Sequence, residues 1–213
     1  MNLNLNGNAR RESDSWNLNA SPNVRFRLSG LATFNVGSFV NRTVNDRQWV
    51  DRVDLAESHY VFGRIDQTTV GLTARVDYAF TPTLSLQVYA QPFVSAGSYG
   101  GYKQVSDPVA AAYADRFVRL DTEVVDDVVR ADLDGDGTLE SFDAADFTST
   151  QFRSNTVLRW EYRPGSTLYL VWSQGRDRSL ESGDFDFRGD MGQLFAVEPD
   201  NVFMVKVSDW FTR

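Results

Sequence analysis

Apolar and polar residues alternate with a period of two along most of this chain, and helical periodicity is almost absent. Val24, Phe26 and Leu28 alternate with Arg25, Arg27 and Ser29, and the pattern runs on through Ala32, Phe34 and Val36. Leu72 to Phe80, Leu84 to Ala90, Thr156 to Tyr162 and Leu168 to Trp172 repeat it. At the C-terminus Phe203, Val205, Val207 and Phe211 share one parity, and Met204, Lys206, Ser208 and Trp210 share the other. Such alternation predicts strands with one apolar and one polar face. Eight are expected: 2–9, 14–20, 24–38, 58–80, 84–96, 151–163, 167–176 and 201–213. The connections sort into tight turns at Ser21-Pro22-Asn23, Thr81-Pro82-Thr83 and Pro164-Gly165-Ser166, and long polar stretches at 41–57, 97–150 and 176–200. Short and long alternate along the chain.

That asymmetry predicts an all-β, antiparallel, up-and-down transmembrane β-barrel, with short periplasmic turns and long external loops. It is expected as a barrel of about eight strands or as the C-terminal strands of a larger one. Even-numbered residues of 84–96, 151–163 and 167–176 would meet lipid, and odd-numbered ones the lumen. The last strand would close the barrel by pairing with the first, which removes both edges. Asp209 falls on its apolar face and interrupts it. Between His59 and Phe80 the apolar parity changes, from Val61 and Ile65 to Leu72 and Val76, which predicts one long strand carrying a β-bulge. Tyr78, Phe80, Trp160, Tyr162, Trp172 and Phe211 lie near strand ends, as ring belts at the headgroups do. The rival architecture is a soluble secreted β-sandwich that binds carbohydrate through exposed aromatics.

Composition narrows the choice. A net charge of −8 excludes a nucleic-acid partner, since nothing offsets a phosphate backbone. The absence of cysteine fits an exported protein that does not rely on disulfides. Mean hydropathy is −0.36, and no apolar run reaches the length of a membrane helix. A barrel escapes that test because only alternate residues face lipid. Met1-Asn2-Leu3-Asn4-Leu5-Asn6 has neither the basic start nor the apolar core of a signal peptide and already alternates. The expectation is one domain over 1–213 with an insertion at 97–150, forming the C-terminal piece of a longer exported protein.

The sharpest local motif is Asp132-Leu133-Asp134-Gly135-Asp136-Gly137-Thr138, continuing to Asp143. Carboxylates at loop positions 1, 3 and 5, a glycine at 6, a carbonyl at Thr138 and a carboxylate at Asp143 are the spacing of an EF-hand-like Ca²⁺ loop. Asp143 is shorter than the usual glutamate, so weak binding is expected, with a helical turn starting near Ser141. The loop resembles a single dockerin-type calcium loop, and one copy carries no inference of cohesin binding. Arg25, Arg27, Arg75, Asp77, Arg159, Glu161, Arg163 and Lys206 fall on the expected lumen faces, where opposite charges would pair. His59 is the sole histidine, so a hydrolase would depend on it, and no nucleophile motif accompanies it. Arg188-Gly189-Asp190 reads as a chance tripeptide.

Three stretches carry a resemblance: Thr156–Trp172, Asp66–Thr69 with Phe80–Phe93, and Val205–Ser208 before Trp210-Phe211. They are similar to the C-terminal barrel, a domain of unknown function, of bacterial outer-membrane proteins that carry an N-terminal part similar to a family 9 carbohydrate-binding module. The resemblance implies an outer-membrane location, contact with outer-membrane lipid and the barrel assembly machinery, and a link to polysaccharide handling. With His59 lacking a nucleophile partner, the expected role is anchoring, display, transport or binding, without catalysis. The resemblance supplies no catalytic residues.

Overall fold

The computed structural model describes residues 1–12, 14–28 and 30–211. Eight long strands form one antiparallel sheet: β1 (Asn2–Glu12), β2 (Ser15–Leu28), β3 (Ala32–Asp54), β4 (Ser58–Thr81), β5 (Leu84–Val105), β10 (Phe147–Arg163), β11 (Ser166–Leu180) and β12 (Asp200–Ser208). Each pairs with its neighbour in that order, and the short β6 (Phe117–Arg119) pairs with the far end of β5. Between β5 and β10, strands β7 (Glu123–Val125), β8 (Val128–Ala131) and β9 (Glu140–Asp143) make a separate small sheet. Among the described residues a single α-helix, α1 (Phe187–Ala196), lies between β11 and β12.

The sheet is open. Its edges are β1 and β12, so the expected pairing of last strand with first is not made among the described residues. The last strand also ends at Ser208 rather than running on. Asp209 therefore sits past the strand at the rim, where it accepts from the Tyr162 hydroxyl and from Arg163 Nη2 at 3.1 Å. The aspartate that broke the apolar face does not belong to it, and Phe211 does not extend it.

Two other boundaries differ from expectation. Ser21-Pro22-Asn23 is no turn: β2 runs straight through, with Leu5 opposite Pro22. Proline has no N–H to give, and the β2–β3 pairing skips from Ala20–Val40 to Asn23–Gly37 at that point. The hairpin turn falls instead at Gly30-Leu31. The polar stretch 41–57 is not a loop either, since β3 continues to Asp54. β4 is one strand, as expected, and its own extra residue is Phe80 at the lower end, opposite the Leu84–Ser85 step. At the parity change residues 65–71 pair without interruption, and the extra residues there lie in its partners. Asp46 and Arg47 of β3 oppose Arg64, and Gly101 (φ +56°) and Tyr102 of β5 oppose Gly63.

The tight connections at 30–31, 82–83 and 164–165 share the lower end of the sheet with both strand termini, Asn2 and Ser208. The upper end carries the tip at Asp14, the turn at 55–57, the insertion 106–146 and the segment 181–199. At ~3.3 Å per residue, the 23 residues of β3 and 24 of β4 reach about 75 Å, well beyond the ~30 Å of a hydrocarbon layer.

Candidate functional site

Register fixes which residues share a face. One row across the sheet is Leu28–Ala32–Tyr78–Leu86–Leu158–Leu170–Val205. The next is Phe26–Phe34–Val76–Val88–Thr156–Trp172–Phe203, and above it run Leu3–Val24–Val36–Ala74–Ala90–Ser154. This face is apolar and lies open: Leu28 is 60 % exposed, Phe203 75 % and Val205 66 %. Trp172 stacks on Phe203 with ring centroids 6.0 Å apart and planes 7° from parallel. Tyr78 meets Phe80 edge-on at 4.8 Å, and Trp160 lies 6.0 Å from Tyr162, all near the lower rim.

The opposite face is polar. Asn2–Arg25–Asn35–Arg75–Tyr89–Asn155–Ser173 form one row, and Ser85–Arg159–Tyr169–Lys206 another. Asparagines bond across strands, Asn23 Nδ2 to Asn35 Oδ1 at 2.7 Å and Asn17 Nδ2 to Asn41 Oδ1 at 3.1 Å. Toward the β12 edge the rows turn more apolar, with Val157, Val171 and Met204 in register. Three glycines let long neighbours lie flat on this wall. Asn23 crosses Gly37, Phe39 crosses Gly71 and Arg153 crosses Gly175, so a methyl at any of the three would collide.

The division of faces changes with height. Above a row at Val40–Val70–Val94–Thr150–Arg178 the central strands gain cover on both faces, while Leu18, Trp49 and Tyr60 toward the β1 side stay exposed. Glycines aside, the buried residues of the long strands lie at or above this row, except Ala32, Ser166 and Thr167 at the lower rim. The small sheet β7–β9 packs on the continuation of the polar face, where Val61 and Tyr102 join Val129, Ala131, Leu133 and Phe142 in the hydrophobic core. On the other face Lys103, 7 % exposed, reaches Asp46 Oδ2 at 2.5 Å and lies 5.0 Å from the Phe117 ring. α1 covers the same face farther along, with Phe195 5.1 Å from Phe152 and Arg176 donating to the Phe195 and Val197 carbonyls at 2.5 and 2.6 Å. Val61 and Ile65 thus point to the face that carries Arg75 and Asp77 lower down. The parity change in β4 records an exchange of environments, and the bulge that β4 does carry, at Phe80, lies below it.

The acidic loop is the turn of the β8–β9 hairpin. The carboxylates of Asp132, Asp134 and Asp136 offer oxygens within 4.8 Å of one another. Asp132 accepts from the N–H groups of Gly135 at 2.6 Å and Gly137 at 3.0 Å, Asp134 from Asp136 at 3.1 Å, and Asp136 from Thr138 at 2.7 Å. Gly135 (φ +82°) and Gly137 (φ +88°) take the left-handed backbone that this winding needs. The Thr138 hydroxyl and N–H together hold the Asp136 carboxyl below its usual range. Asp143 does not join them. It lies in β9 opposite Val128, three residue steps down the hairpin, roughly 10 Å away. Ser141 likewise continues β9 and starts no helix. Glu140 occupies the nearer place, with Oε2 accepting from Leu133 N–H at 2.9 Å. Three clustered hard oxygens suit a divalent cation, though they supply fewer protein ligands than the sequence spacing implies.

A family model of a domain of unknown function matches residues 1–211. The chain belongs to the DUF5916 family. Comparison with curated proteins and with solved structures finds no match.

In this DUF5916 domain His59 stands at the upper end of β4 and shares a 3.0 Å hydrogen bond, through Nδ1, with Gln104 Oε1. Gln104 Nε2 donates to the Leu133 carbonyl at 2.8 Å. The histidine therefore ties the long strands to the small sheet. Arg188-Gly189-Asp190 is wound into α1, where Asp190 is 7 % exposed and accepts from Asp186 N–H at 3.2 Å. Sequence reasoning missed α1 itself. Its one signal was Asp186, whose side chain accepts from Arg188 N–H as an N-cap does. The Lys103–Asp46–Tyr113 cluster had no sequence signal, because its members lie 57 and 10 residues apart.

Proposed function

We propose that this domain is a non-enzymatic outer-membrane β-barrel element, with the open apolar face against lipid and the polar face toward the lumen. The observation that carries the reading is the uncovered apolar face below the Val94 row, set beside covered faces above it. From the Leu84 row to the Val94 row is ten residues, about 33 Å along a strand and about 25 Å of height at a barrel tilt near 40°, the height of a membrane barrel's apolar band. A β-sandwich would instead pack that face on a second sheet, and among the described residues nothing packs there. The edges β1 and β12 must be paired in lipid, by each other or by further strands, because unpaired backbone groups are costly in hydrocarbon. Above the membrane the extended strands, the small sheet and α1 form an external platform for anchoring or display. A role in transport or binding of polysaccharide follows from the family resemblance. The barrel assembly machinery is the expected partner in insertion. The Asp132–Asp134–Asp136 cluster is proposed as a weak structural Ca²⁺ site on that platform, completed by water and the Thr138 carbonyl.

The test is refolding of the purified chain into liposomes. It should float with lipid and migrate faster on gels unless boiled. Deleting residues 203–213 should abolish the shift. A chain that stays monomeric and folded in buffer without lipid would refute the proposal.

A further inference from the structure

We infer that the polar face is the wall of an anion-preferring solute path, and that Arg25, Arg27 and Lys206 set the preference. The inference rests on the membrane reading above. Six basic side chains stand on this face below the covered region. Three are neutralised in place: Arg75 Nε lies 3.5 Å from Asp77, Arg153 Nη2 2.8 Å from Asp177, and Arg159 Nη2 3.1 Å from Glu161. Among the described residues, Arg25, Arg27 and Lys206 form no ion pair. Lys206 Nζ lies 5.9 Å from the Tyr169 ring, a contact that leaves its charge uncompensated. One acid on the same face, Asp200, is also without an ion-pair partner, at the upper end of β12 opposite Gly175. Three uncompensated cations therefore face one uncompensated anion.

The rest of the chain makes this a local property. Segment 97–150 holds twelve acids and four bases, which accounts for the whole net charge of −8. That acidic segment is stacked above the sheet, while the rest of the chain is neutral in sum and its strands segregate free positive charge onto one face. Polar walls with a surplus of one sign concentrate ions of the other. The wall is also shaped for passage. Asn23, Phe39 and Arg153 lie flat across Gly37, Gly71 and Gly175 rather than standing toward the centre. The remaining donors are neutral amides and hydroxyls of Asn, Gln, Ser and Thr, which can exchange hydrogen bonds with a hydrated or polyhydroxylated solute at little cost. The occupant inferred is thus an anionic, hydrophilic solute.

The experiment uses the full chain in planar lipid bilayers under a potassium chloride gradient, with liposome flotation run in parallel. The parent should conduct with chloride more permeant than potassium. Replacing the three cations together (Arg25→Glu, Arg27→Glu, Lys206→Glu) should lower the chloride-to-potassium permeability ratio about twofold or more. The milder Arg25→Gln, Arg27→Gln pair should lie between them, and it guards against misfolding of the charge-reversed chain. A parent that floats with lipid yet passes no ions, prefers potassium, or keeps its ratio in both variants overturns the inference while the membrane reading stands. A parent that fails to float overturns both.

Discussion

At the residue scale, what matters is which side of a strand a side chain occupies and at what height. Leu170 and Ser173 lie three residues apart in β11, the first in the open apolar row and the second in the Arg75 row. Arginine at Leu170 should cost roughly 2–4 kcal/mol if the row lies near the bilayer midplane, and arginine at Ser173 close to nothing. Equal losses in urea titrations of the refolded variants would mean that both faces see the same medium. Tyr102 probes the covered region. Burial first, then Asp146, pushes its phenol up to about 12 from 10.0. The folded state thus favours the protonated phenol, so its contribution is intact below pH 10 and is lost as pH rises through about 12. Tyrosinate absorbance should show a last step near pH 12 with loosening of the small sheet, and Tyr102→Phe should remove that step. A parent with all tyrosines titrating together near pH 10 would contradict the packing of Tyr102 in that core.

At the element scale, the sequence was most legible where one face of a strand is open. The lower halves of β3, β4, β5, β10 and β11 alternate cleanly, with apolar rows on one face and polar rows on the other. Upper β3 read as a loop because Asn41 to Gln48 is polar on both parities apart from Val44, whose burial comes from segments distant in sequence. Pro22 read as a turn, yet its missing N–H falls in a gap of the β2–β3 pairing. α1 was hidden by Gly189 and Gly192, which weaken any helical signal. The acidic loop was half legible: Asp132, Asp134 and Asp136 converge, while Asp143 is carried off by the β9 pairing that no local spacing could reveal. Without a cation the three carboxylates repel; as the proposed Ca²⁺ ligands they would bind at affinities around 10⁻⁴–10⁻³ M. Calcium should therefore protect 106–146 from limited proteolysis in the parent and less in Asp134→Ala, while the long strands fold alike with or without it. Equal protection in both would leave the loop an acidic turn.

At the scale of the whole molecule, two regimes are stacked on one set of strands. The upper one is built like a water-soluble protein, with Val61, Tyr102 and Leu133 inside and acids outside. The lower one is inverted, with leucine and aromatic rows outside and arginine and asparagine rows on the other face. The height at which the inversion occurs, between Ile65 and Val70 on β4, marks where the strands would leave the hydrocarbon. The chain has no native cysteine, so single cysteines report cleanly. The decisive measurement places a fluorophore in turn at Leu86, Leu158, Leu170 and Val205, and then at Tyr89, Asn155 and Ser173, in the refolded protein in liposomes. Brominated acyl chains should quench the first set and aqueous iodide the second, with the lipid quenching ending above the Val94 row. Quenching that is the same for both sets, or aqueous at every position, would contradict the account.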